Sequence, residues 1–152
     1  RSLEVGPVIR EFGFAVYLIT TLEITGVIGM SFRAGWFVDS LHSMGLYVPH
    51  SPGEFLMALM NVALFVPLGI FLPLVFRRGK LNWRKMLVAG LGFSAGIEFL
   101  QMFGGRMAEV DDVLFNVAGS MAGYAALRVG GRIKRRIAEN GAVGRGTARA
   151  GG

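Results

Sequence analysis

Apolar residues along this chain fall into four long runs, at 14–32, 55–76, 86–103 and 113–129, separated by shorter polar or glycine-containing joints. The runs are near-continuously apolar rather than alternating, which argues for helices over barrel strands. The second run carries 22 residues without a charge, enough to cross about 30 Å of hydrocarbon at about 1.5 Å per residue. Glu23 interrupts the first run, and the fourth is short. Pro67 and Pro73 predict a kink in the second, read here as a fit to the bundle. The pattern therefore predicts an all-α fold, a polytopic membrane helical bundle of about four transmembrane helices. Between the first two runs, Trp36, Phe37, Leu41 and Met44 have the spacing of one apolar helix face. A short interfacial helix there would anchor at headgroup level or cover a site beneath it, and the anchor is the favoured role.

Composition supports a single membrane domain. The chain has 152 residues, 53% hydrophobic and 17% charged, with a mean hydropathy of +0.52. Residues 1–139 form the expected transmembrane domain, and the Gly/Ala/Arg-rich stretch 140–152 reads as a disordered cytoplasmic tail. The chain opens at Arg1 rather than a methionine, so an upstream segment stays open. With no cysteine, a disulfide, a thiolate metal site and a cysteine nucleophile are excluded within it.

Charge changes the picture further. An N-in, C-in arrangement places fourteen of the sixteen Lys and Arg residues on the inner side and leaves Arg33 and Arg106 outside. The basic residues follow the joints between runs and do not interleave with aromatics on one face, so nucleic acid is not an expected partner. The lipid bilayer is, with the basic start of the tail on anionic headgroups.

The joint between the third and fourth runs then becomes the place for chemistry, on the extracytoplasmic side. Glu98 and Gln101 lie one turn apart on a shared face with Ser94. Asp112, Asn116, Gly119 and Gly123 form one stripe about 60° wide on the fourth run. Arg106 stands in the joint, and Asn61 reaches a similar depth on the second run. Carboxylates in an apolar setting beside an arginine can supply an acid and a base, or bind a cationic or hydroxyl-rich group. The same residues can instead merely staple the helix hairpin. Gly119 and Gly123, and separately Gly92 and Gly96, are spaced for close helix contact. His42 and His50 are eight positions apart and fit no compact ligand motif, so no metal or other cofactor is expected. Ser94 and Ser120 lack a matching histidine, and no complete catalytic motif is present.

Three blocks carry a family resemblance. They are residues 61–69, reading Asn-Val-Ala-Leu-Phe-Val-Pro-Leu-Gly; 98–101, reading Glu-Phe-Leu-Gln; and Arg106 followed by Asp112, Asn116 and Gly119. In order and spacing they resemble the VanZ-like family of small bacterial membrane proteins. The loop segment Val48, Pro49 and His50 departs from the family's pattern. The resemblance implies a multi-pass protein of the bacterial cell membrane, with Asn61, Glu98, Gln101, Arg106, Asp112 and Asn116 as the candidate functional cluster. The founding member is associated with teicoplanin resistance, so the implied role is cell-envelope protection through a cell-wall precursor or other wall component. The alternative is a non-catalytic interaction protein docking onto a cell-wall enzyme or transporter. Ion movement through Glu23 and Glu98 is disfavoured, because the inner half of the runs holds no matching ionisable relay.

Overall fold

A computed structural model describes residues 5–46, 48–76, 81–106 and 109–150, with side chains from 141 onward left aside. Five helices follow one another: α1 Val5–Ile24, α2 Ala34–His42, α3 Pro52–Val75, α4 Trp83–Phe103 and α5 Val110–Ala150. The described residues form no strand; an isolated bridge joins Gly45 to Glu109. Two of the helices, α3 and α4, are long and apolar enough to cross a membrane.

The first helix differs from the expected 14–32 run. It begins by Val5 and stops at Ile24. Gly26 adopts a φ of +74°, donates its N–H to the Glu23 carbonyl, and is followed by a Val27 N–H to Leu22 bond, both at 2.9 Å. This is a Schellman closure, in which the left-handed glycine satisfies the last carbonyls and turns the chain away. Hydropathy alone misses the stop because Val27, Ile28 and Phe32 continue the apolar run beyond it.

Helix α3 starts at Ser51, whose side chain accepts from the Glu54 N–H, with Pro52 in the first turn. It runs through Pro67 and Pro73 without losing its helical assignment. Asn82 caps α4 by accepting from the Lys85 N–H at 2.9 Å. Helix α5 continues to Ala150, across the segment 140–150 for which composition predicts a coil.

The main packing is α3 against α5, with α4 packed on α5 and touching α3 through Phe93 on Phe65, and α1 against α3. An added Cβ at Gly119 would collide with the Val62 carbonyl oxygen, one at Gly123 with that of Val66, and one at Gly69 with that of Ser120. The two backbones therefore cross in direct contact, which only the hydrogen side chain permits. Gly92 and Gly96 behave differently: both are exposed, with nothing within 4 Å of an added Cβ. The expected second small-residue contact is displaced to Gly90, which abuts the Ser120 side chain. The inward face of α4 is 90, 94, 97, 98 and 101, and positions 92 and 96 lie off it. Phe65, Leu68, Met86, Ile97 and Tyr124 form the core, and Tyr17 donates to the Leu64 carbonyl at 3.1 Å to fix α1 on α3.

Candidate functional site

The polar residues singled out by sequence come from different helices and meet at one end of the bundle. A cavity of about 80 Å³ is lined by Asn61 of α3, Glu98 and Gln101 of α4, Arg106 of the joint, and Asp112 and Asn116 of α5. All six candidate residues are there. Ile24, Thr25, Leu64 and Ile97 complete the wall.

Each helix delivers its residues for a local reason. The α5 register places Asp112 and Asn116 one turn apart, with Asp111 and Asp112 in the first turn, where carboxylates complement the exposed N–H groups. Asn61 donates through Nδ2 to Asp112 Oδ1, linking α3 to α5. One turn deeper, Asn116 donates to Ser94 Oγ at 3.0 Å, linking α5 to α4. Buried interhelical bonds of this kind average about 0.6 kcal/mol in membrane proteins, so they align helices more than they hold them together. The Oδ1 of Asn116 has no hydrogen-bond partner although the residue is only 4% exposed. An unpaired buried acceptor costs about 1–3 kcal/mol, which singles this atom out.

The joint is tied from two sides. Gln101 Nε2 donates to the Thr25 carbonyl at 2.6 Å, and Arg106 Nη1 donates to the same oxygen at 3.1 Å. The backbone after α1 thus closes one wall of the cavity. On the opposite side, Ser40 Oγ of α2 donates to the Arg106 carbonyl at 2.7 Å, and the Val110 N–H donates to the Gly45 carbonyl at 3.1 Å. Gly105 takes a φ of +78° beneath the Trp36 ring, and Phe37 stacks on Phe103 with centroids 4.7 Å apart. Helix α2 therefore clamps the end of α4 and contributes nothing to the lining of the polar cavity. Leu41 and Met44, expected on its apolar face, stay about half exposed.

Sequence reasoning missed Thr25, which acts through a backbone oxygen that leaves no mark in residue type. Glu109, by its place in the joint, reads as a solvated residue near the interface, whereas it is partly buried and its N–H donates to Glu98 Oε2 at 3.4 Å. Burial first, and then the Asp112 and Asp111 carboxylates, push the Glu109 carboxyl above its ordinary value, with Arg106 opposing them. Glu23 is exposed and absent from the cavity wall.

A larger cavity of about 360 Å³ lies on the other side of Asp112, lined by Val48, Pro49, His50, Glu54, Glu109 and Asp111 among others. The divergent loop segment is thus part of a wall next to the cluster. Carboxylate oxygens of Glu109, Asp111 and Asp112 lie within 4.8 Å of one another, the one group among the described residues with a geometry able to hold a metal ion. His42 is turned to the Val38 carbonyl at 2.8 Å on its own helix. Ser120 donates to the Val117 carbonyl at 2.8 Å, a local helix bond rather than a nucleophile's arrangement.

No curated protein and no solved structure matches the chain. The profile of the family described as VanZ/LLP1 matches residues 8–131, taking in most of α1, all of α2 to α4, the joint and the first half of α5 with every residue of the cavity wall. The chain belongs to the VanZ/LLP1 family.

Proposed function

We propose that this chain is a multi-pass protein of the bacterial cell membrane that protects the envelope by binding or modifying an outer-leaflet cell-wall component, and so contributes to teicoplanin resistance. The observation that carries the reading is the meeting of Asn61, Glu98, Gln101, Arg106, Asp112 and Asn116 around one cavity. Polar groups of this density beside apolar helices are expensive to bury without a task, and the unpaired Asn116 oxygen leaves room for a ligand donor. Helices α1 and α5 supply the further two spans of this arrangement, N-in and C-in, with the cavity at the outer face. The distribution of Lys and Arg supports that orientation.

The test is teicoplanin susceptibility of a sensitive Gram-positive host expressing the chain, beside Glu98→Gln and Asp112→Asn variants matched for membrane abundance. Protection by the parent that disappears in both variants is the expected result. Equal protection by all three would reduce the cluster to a structural staple.

A second reading has one observation in its favour. Gly92 and Gly96 leave an open small-residue strip on α4, beside exposed Val88 and Phe99. A helix of a cell-wall enzyme or transporter could pack there without catalysis by this chain.

A further inference from the structure

The polar cavity does not end at its own walls. A second cavity, about 480 Å³, is lined by Ile24 at the end of α1, by Met57, Met60, Ala63 and Leu64 along α3, and by Asn61, Arg106, Glu109 and Asp112 at its polar end. The two share Ile24, Asn61, Leu64, Arg106 and Asp112. One is small and polar, and the other is larger and mainly apolar, so together they offer a headgroup pocket and an apolar groove beside it. Met57 and Met60 are 71% and 62% exposed, so the groove opens sideways on the α1–α3 face of the bundle, where hydrocarbon would lie if α3 crosses a bilayer. Unbranched methionines suit a groove that accepts a flexible chain.

The head is constrained by size and sign. A volume of about 80 Å³ suits a compact polar head. Glu98 and Asp112 line it against Arg106 alone, that arginine already donates to the Thr25 carbonyl, and Glu109 stands at the polar end of the adjoining groove. The Asn116 Oδ1, buried and without a partner, offers an acceptor to an incoming N–H. Three carboxylates and an open amide oxygen match a cluster of N–H donors and repel an anion.

We infer that the site takes a long-chain amphiphile with a primary ammonium head, entering from the bilayer between α1 and α3, its head among Asn61, Asp112 and Asn116 and its chain along Met57, Met60 and Leu64. The inference rests on the reading of the cluster as a ligand site and deepens it to a chemical class.

The experiment uses the full chain in phosphatidylcholine nanodiscs with dodecylamine carrying a diazirine in its chain, against the matched alkyl sulfate and alcohol. Light-dependent labelling should fall on the segment 57–64 and be about tenfold stronger for the amine than for the sulfate, equivalent to about 1.4 kcal/mol. Met60→Trp fills the groove from its exposed side and should abolish labelling of that segment. Glu109→Gln, in the joint outside the helices, should reduce the preference for amine over sulfate. Equal labelling by amine and sulfate, labelling away from 57–64, or labelling indifferent to Met60→Trp would each overturn the inference. Teicoplanin protection that persists without amine labelling would overturn the ligand class and leave the envelope reading standing. Amine labelling with no protection by the parent would uphold the ligand class and overturn the envelope reading.

Discussion

Glu109 stands where three cavities meet, beside Asp112 and with Asp111 in the next turn. Its carboxyl binds a proton more tightly in the folded chain than its ordinary value of 4.5 implies. Its contribution therefore favours the fold fully below that ordinary value and is lost as pH rises through the elevated one. Unfolding midpoints in detergent should fall as pH rises above about 4.5, and Glu109→Gln should flatten that fall and raise the midpoint at neutral pH. Identical slopes for the two proteins would remove Glu109 from the balance. At this scale the sequence is informative wherever side-chain type and helical period coincide. Glu98 with Gln101, and Asp112 with Asn116, are placed together by a rise of one turn. The Thr25 oxygen and the partnerless Asn116 Oδ1 are invisible at that stage, because one belongs to the backbone and the other depends on what its neighbours fail to reach.

Between elements, the α3–α5 contact is set by backbone touching backbone. Gly119→Leu or Gly123→Leu would drive a side chain into the Val62 or Val66 carbonyl, and a carbonyl fixed in its helix cannot rotate away. Each substitution should destabilise by about 3 kcal/mol or more, the top of the overpacking range, and lower the folded yield. Gly92→Leu, on the open side of α4, should leave the monomer's unfolding midpoint within about 0.5 kcal/mol of the parent. The two pairs look alike in sequence, since spacing shows that a helix could be approached closely and not that another helix is there. The end of α1 escaped for a related reason. A glycine with positive φ stops a helix whether or not apolar residues follow, and hydropathy averages over that stop. The proline pair in α3 lies inside one continuous helix, in keeping with prolines that fit the bundle.

For the molecule as a whole, the helical class was legible from run length and continuity, and family membership from blocks that the match over 8–131 contains. Helix α2, whose nine residues are too few to span, falls where the spacing of Trp36, Phe37 and Leu41 predicts a short helix, and α3 and α4 are the two described helices long and apolar enough to cross a membrane. The absence of cysteine makes the proposed topology directly measurable, since a single introduced thiol is the only one in the chain. Asp39→Cys on α2 and Arg132→Cys on α5 both fall at exposed positions. A membrane-impermeant maleimide should label the first in intact cells and the second only after permeabilisation. The opposite pattern would invert the bundle and put the polar cavity at the cytoplasmic face.

The anchoring of the joint on Thr25 carries its own evolutionary arithmetic. Because Gln101 and Arg106 both hold a main-chain oxygen, any amino acid at position 25 supplies the same acceptor. Substituting Thr25 should therefore cost only its side-chain bonds to the Thr21 and Leu22 carbonyls, while changing Gly26, which has a φ of +74° and stands with its missing Cβ toward Arg106 Nη1, can swing that oxygen out of reach of both donors. The residue that guards the wall of the cavity is one that does not line it.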